Sequence, residues 1–263
     1  MSRPTPGKPS TRTSRIIITV IGLLFLLPLL AMLEFSLRQQ GGGYTLDHWT
    51  GIIDPENSRR YRTLFKGVLN SFLLAGLTLL LLFALFVPTI VLVHLRFPRL
   101  ERPLDMLTVL PVAIPVISMV VGYAPIYRIL GTVFGSGAWT LMFAYGVQVL
   151  PFAYRAIVSE LNHMDAKVRA EAARSLGAGW GTVVVRVIAP GMKRSLFAAS
   201  LITLAIVFGE FTLASLLNRV NLQTAVFQLS QSDAYVATAV SLLSLVAVFL
   251  ILVLASGRRR GPS

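Results

Sequence analysis

Six stretches of this chain are apolar for about the length that a helix needs to cross a bilayer's hydrocarbon core, roughly 20 residues. They cover residues 16–35, 69–93, 104–130, 138–158, 195–217 and 234–255. Polar or glycine-bearing segments separate them. The pattern predicts an all-α polytopic membrane protein with six transmembrane helices. The third stretch carries Pro111, Pro115 and Pro125. Proline bends or breaks a helix, and bent spans can form gates, although proline is ordinary in membrane helices. The first stretch follows Arg12 and Arg15 and could be read as a cleaved leader. It is long for that purpose, and Glu34-Phe35-Ser36-Leu37 after it is a poor cleavage site, so an uncleaved span is expected.

The connection at residues 159–194 has a different period. Between Glu160 and Leu176, the residues Leu161, Met164, Val168, Ala172 and Leu176 recur at intervals of three and four. That spacing predicts one amphipathic helix with those five on its apolar face. Glu160, Lys167, Glu171 and Arg174 fall opposite, at spacings that allow ion pairs along the helix. Gly177 and Gly179 are expected to end it. Such a helix can lie on the inner leaflet, or it can present its face to a partner.

Composition strengthens the membrane reading. The chain is 55% hydrophobic and 13% charged, with mean hydropathy +0.73, against roughly 25% charged residues in soluble domains. The net charge of +13 would suggest nucleic acid in a soluble protein, but no aromatic-basic patch lies outside the apolar runs, and no nucleic-acid partner is expected. Most lysines and arginines fall in alternate connections: Arg3, Lys8, Arg12 and Arg15; Arg96, Arg99 and Arg102; Arg155, Lys167, Arg169, Arg174, Arg186, Lys193 and Arg194; and Arg258, Arg259 and Arg260. By the positive-inside bias these segments are cytoplasmic, so both termini are inside. The connection at 38–66 would be outside. Gly41, Gly42 and Gly43 make it flexible, and Tyr44, Trp49 and Tyr61 suit an interface. Its Arg59, Arg60, Arg62 and Lys66 run against the bias, and contact with a soluble partner is one use for them. There is no cysteine, which removes disulfides and thiolate chemistry.

Glu171-Ala172-Ala173 is followed by three residues and Gly177, then by nine residues, Val187, Ile188, Ala189 and Pro190. This resembles the cytoplasmic signature of the permease subunits of ATP-binding-cassette importers: Glu-Ala-Ala, x3, Gly, x9, Ile-x-Leu-Pro. Val187 stands for the isoleucine. Ala189 departs from the leucine, which weakens one apolar contact. The resemblance implies a type I importer permease fold over residues 16–256, with a coupling loop at 159–194 and cytoplasmic tails at 1–15 and 257–263. It implies that Glu171, Ala172, Ala173, Gly177 and Pro190 couple the chain to an ATPase. Glu171 would be a polar contact, and Gly177 would allow close backbone approach.

The implied partners are two ATP-binding subunits, a second permease subunit that is homologous or identical, an external solute-binding protein and the lipid bilayer. ATP and Mg would sit on the partner ATPase, and no cofactor would be held by this chain. The implied location is the bacterial inner membrane. Gly209-Glu210-Phe211-Thr212-Leu213-Ala214-Ser215-Leu216-Leu217 is similar to the fifth-span region of the polyamine, ferric iron, thiamine, sulfate and phosphonate branch. The solute it implies is a polyamine first, then the others.

Within the spans, Glu210 either lines a translocation path that attracts a cationic solute or pairs with a polar neighbour. Gln148 either faces the path or makes a structural hydrogen bond. Glu34 is expected at the interface. His48, His94 and His163 read as lone surface histidines, not as a metal cluster. No phosphate-binding loop, nucleophile elbow or paired-carboxylate arrangement is present, so the chain is expected to be non-catalytic. A secondary transporter should show internal repeats and matching broken helices, and a membrane enzyme should show clustered catalytic residues; neither pattern is visible.

Overall fold

The computed structural model describes residues 11–39 and 41–257. Among these, the regular elements are helices, with one isolated bridge between Arg38 and Tyr44. Arg3, Lys8 and Arg258–Arg260, and with them most of the two tails, lie outside the described residues. The helices are α1 (Thr11–Leu37), α2 (Asp47–Ile53), α3 (Arg62–Arg96), α4 (Glu101–Ala113), α5 (Val116–Phe134), α6 (Ala138–His163), α7 (Ala166–Ser175), α8 (Trp180–Gly209), α9 (Thr212–Leu216), α10 (Leu222–Ser232) and α11 (Ala234–Gly257).

Five of these, α1, α3, α5, α6 and α8, are long and apolar enough to cross a membrane, and α11 carries the sixth apolar run over Ala234–Leu250. The fold is therefore that of a polytopic, all-helical membrane protein. At the two extremes, hydropathy and burial run in opposite directions. The most apolar window of α1 has none of its residues buried, whereas half of the much less apolar window of α6 is buried. Burial between membrane helices favours small residues and close approach over bulk hydrophobicity. Ala144, Gly146 and Ala153 of α6 fit that rule.

Two apolar runs and the amphipathic stretch are not single helices. The third splits into α4 and α5, because Ile114 takes an extended conformation, φ −98 and ψ 126, before Pro115. A residue preceding proline is pushed out of the helical region. Pro111 and Pro125 remain inside their helices, so one of the three prolines breaks the span. The fifth run splits at Glu210, which is extended at ψ 119 between α8 and α9. The amphipathic stretch splits at Met164–Asp165: Glu160 and Leu161 end α6, and α7 starts afresh after Asp165 at φ 48. Broken spans are thus present where the apolar runs predict continuous ones. Two further irregularities precede prolines. A π-helical turn at Leu82–Phe86 lies just before Pro88, and another at Val183–Ile188 lies just before Pro190. Proline has no N–H to give and its ring crowds the preceding turn, so the ladder widens ahead of it.

The described residues form two compact units. One comprises those up to Tyr61 together with Val226–Leu254; the other contains Arg62–Ala225. In the first, the 38–61 connection is fastened to the ends of α1 and α11. Trp49 Nε1 donates to Ser36 Oγ at 3.2 Å. Phe35 and His48 each stack on Tyr235 at 5.0 Å. Arg60 pairs with Asp233 at 3.0 Å, which accounts for one member of the basic cluster; Arg59 is exposed. Glu34 reaches out to Arg38 at 2.9 Å and to the Tyr44 hydroxyl at 3.2 Å. Arg62 and Lys66, both exposed, belong to the second unit.

The second unit is built around α6, against which α3, α4 and α8 pack. Its core joins Leu82, Ile90 and Val91 of α3, Val149, Ile157 and Leu161 of α6, and Val183, Ile188 and Met192 of α8. Ala166 and Ala170 of α7 belong to the same core. His94 is not a surface residue: it is 4% exposed, and its Nδ1 lies 2.8 Å from Glu101 Oε1 across the α3–α4 turn. His48 is half-buried against Tyr235, and His163 is exposed and bonded to the Ser159 carbonyl. No group of three or more metal-ligating side chains occurs among the described residues.

Candidate functional site

The α6–α8 connection holds the signature residues. A two-residue turn, Met164 and Asp165, follows α6, and Met164 lies over Gly191, where a Cβ would come within 2.6 Å of Met164 Cε. α7 then runs for ten residues. Its inward face is made of alanines: Ala166 is 1% exposed and Ala170 is 3% exposed, with Ala173 packed beside them. Its outward face holds the larger apolar residues, Val168 at 65% exposure and Leu176, just past the helix, at 88%. The apolar face expected from spacing is therefore divided. Leu161 is buried in α6, whereas Val168, Ala172 and Leu176 point away from the chain. Spacing identifies apolar positions but not whether the chain itself or something else covers them.

The expected ion pairs along this helix are not formed. Among the described residues no salt bridge joins Lys167, Glu171 and Arg174. Glu171 is exposed. Arg174 turns to the end of the helix, where its Nη1 donates to the Ala178 carbonyl at 2.8 Å and its guanidinium rests over the Trp180 ring at 5.3 Å.

Gly177 closes α7. Its N–H donates to the Arg174 carbonyl at 3.0 Å, and the Ala178 N–H donates to the Ala173 carbonyl at 3.0 Å. These two bonds form a Schellman motif, which needs a left-handed residue at this position. Gly177 supplies it at φ +85, and a Cβ there would meet nothing within 4 Å. Within this chain, backbone conformation and not close packing requires the glycine. Further on, Val187 packs against the core, Ile188 is fully buried and Pro190 is exposed. The neighbour Ile188 thus anchors the turn where the signature has leucine at position 189.

The other end of α8 is polar and interlocked. Leu213 N–H donates to both carboxylate oxygens of Glu210 at 3.0 Å, and Ala214 N–H to one of them at 3.3 Å. A carboxylate at the first turn of a helix satisfies donors that the helix leaves free, and the helix dipole favours its charge. Asn221 Nδ2 donates to the Glu210 carbonyl and to the Tyr145 hydroxyl, the latter at 3.1 Å. Its Oδ1 accepts from Thr224 N–H at 2.9 Å. Asn70 donates to the Val220 carbonyl at 2.7 Å, and Ser71 Oγ accepts from Leu222 N–H at 2.9 Å. A Cβ at Gly67 would fall 2.6 Å from the Asn221 carbonyl oxygen, so α3 and residues 221–225 touch backbone to backbone. Asn221 is the member of this network that the sequence pattern gave no reason to single out.

Of the two path candidates, Glu210 has its carboxylate committed to backbone amides. Among the described residues, Gln148 Oε1 is buried without a hydrogen-bond partner. An apolar cavity of about 510 Å³ lies beside the α4–α5 break, lined by Leu107, Leu110, Ile114, Met119 and Tyr123 among others; neither Glu210 nor Gln148 lines it.

The family described as a binding-protein-dependent transport system inner membrane component matches residues 87–260. The matched region contains α4 to α11 and the whole signature. No curated protein matches the chain.

Proposed function

The chain belongs to the family of binding-protein-dependent transport inner membrane components, and from that premise we propose that residues 166–177 couple it to a separate ATPase subunit. One observation carries the proposal. α7 buries an alanine face in its own bundle and holds Val168 and Leu176 outward, at 65% and 88% exposure. Large apolar side chains turned to water on a well-packed helix are the anchors of a helix-in-groove contact. Glu171, Ala172 and Ala173 lie on the same helix, with Glu171 exposed beside the anchors. Gly177 fixes where the helix stops, and Pro190 marks the irregular turn through which movement would pass into α8.

In this reading the chain is a non-catalytic permease subunit in a bacterial inner membrane, with the α6–α8 connection and both termini inside. It works with ATP-binding subunits, a second permease subunit and an external solute-binding protein. ATP binding closes the ATPase pair, α7 moves with it as a rigid body, and the spans exchange inward-facing for outward-facing states. The solute is small. The capping role of Glu210 removes the free carboxylate that would favour a polyamine along this chain, so selectivity falls to the binding protein.

Because the chain has no cysteine, single introduced thiols test the contact cleanly. Val168→Cys and Leu176→Cys should each cross-link to the nucleotide-hydrolysing subunit in membranes, and Lys66→Cys should not. Cross-linking of Lys66→Cys with neither of the others would refute the orientation and the coupling role together.

A further inference from the structure

Three helices meet at one side chain. Arg96 is the last residue of α3, Arg174 lies in the last turn of α7, and Trp180 is the first residue of α8. The Arg96 Cζ lies 5.6 Å from the Trp180 ring centroid, and the Arg174 Cζ lies 5.3 Å from it. Both are within the range in which a guanidinium is attracted to the π face of an indole, the best of the aromatic rings for this contact. Two like charges are thereby held near one another. Neither has a carboxylate partner among the described residues.

The other contact between α7 and α3 has a different quality. α7 approaches the Val87–Arg96 segment through the alanine face, with Ala166 and Ala170 buried in the shared core. Dispersion between packed methyl groups depends on distance and not on orientation, so this face supplies no directional bond. Among the described residues no hydrogen bond or ion pair joins residues 166–175 to residues 87–96. Directional restraint between these two elements therefore comes through the shared indole. Arg174 is itself held by its bond to the Ala178 carbonyl, so the ring senses the position of the end of α7.

We propose that Trp180 is a positioning residue that latches α7 to the Arg96 end of α3, so that displacement of α7 is delivered to α3 as well as to α8. The latch rests on the coupling role proposed above. It adds that the movement branches at one aromatic side chain into two spans. Removing the ring should leave α7 able to meet its partner and able to move, but should disconnect α3 from that movement.

The test uses the assembled transporter with MgATP as the probe. Spin labels at Arg99→Cys and Arg155→Cys report the α3 end against α6, and labels at Lys167→Cys and Arg155→Cys report α7 against α6. MgATP should change both distances in the otherwise unaltered chain. Trp180→Leu keeps apolar bulk but loses the π face; it should preserve the α7 change and at least halve the α3 change. Trp180→Phe should restore most of the α3 change. Arg96→Gln, which leaves the indole in place, should reproduce the loss and guards against a folding defect in the first variant. An undiminished α3 response in both Trp180→Leu and Arg96→Gln would overturn the latch while leaving the coupling role standing. Absence of any α7 response to MgATP in the unaltered chain would overturn the coupling role, and the latch with it.

Discussion

The two ends of α8 solve the same problem in opposite ways. At both, the chain leaves one helix and starts another within a few residues. At the α6–α8 connection, α7 meets the Val87–Arg96 end of α3 through an alanine face, with directional restraint between the two confined to one indole. At the α8–α10 connection, Glu210, Asn221, Thr224, Asn70 and Ser71 bind backbone groups of their neighbours, and Asn221 reaches both α6 and the α8–α9 corner. Buried polar groups that are fully paired specify one geometry, because any slip leaves an unsatisfied donor or acceptor. Packed methyl groups exact no such penalty. Under the proposed coupling, movement belongs to one end of the helix and a fixed fulcrum to the other.

The largest expected effect is at Gly177. Gly177→Val forces a β-branched residue toward φ +85, where a non-glycine residue pays roughly 1–2 kcal/mol and a branched one more. ATP-energised solute uptake into membrane vesicles should fall at least about tenfold, with the amount of chain inserted in the membrane unchanged. Gly177→Asn, which tolerates the left-handed region, should retain more uptake than valine. Equal loss in both would move the requirement from backbone conformation to close contact with the partner.

An intermediate effect is expected at the fixed end. Asn221→Ala leaves the Glu210 carbonyl, the Tyr145 hydroxyl and the Thr224 N–H short of partners. Each buried group so stranded costs about 1–3 kcal/mol, so thermal unfolding in detergent should shift down by something on the order of 5 °C or more. A polar substitution at the sliding end, Ala173→Ser, should shift it by about 1 °C or less. If Asn221→Ala leaves the midpoint unaltered, the fulcrum is not where the hydrogen bonds are.

The smallest effect belongs to Glu210→Gln. Glutamine keeps one oxygen that the Leu213 and Ala214 N–H groups can both reach; it gives up the second acceptor and the charge, the latter worth about 0.3–1 kcal/mol near a helix start. Uptake of a cationic solute such as a polyamine should stay within about twofold. A drop of about tenfold at unchanged thermal stability would return the carboxylate to the translocation path.

How far the sequence could be read follows from these contrasts. The spans were legible because hydropathy averages over twenty residues and is indifferent to detail. The signature was legible because its glycine and proline have backbone reasons that no neighbour can override. The buried face of α7 was not, since spacing marks Val168 and Leu176 as strongly as Leu161, while the alanines that go inward carry little hydrophobic weight. The break at Glu210 was hidden for a related reason. An acidic residue in an apolar run suggests a solute, and nothing local says that its oxygens will meet the amides three and four residues ahead. Ile114 takes its extended form from Pro115, but Pro111 and Pro125 looked no different on paper and stayed helical.

α7 is bounded on both sides by left-handed residues, Asp165 at φ 48 and Gly177 at φ +85. A helix turns by 100° per residue, so one added or deleted residue between these stops would swing one end of the segment by more than a quarter turn relative to the other. Alanines set to face the bundle at the start would then no longer agree with those near the end, and the outward pair would point along different bearings. The number of residues between the two stops is held like the tooth count of a gear.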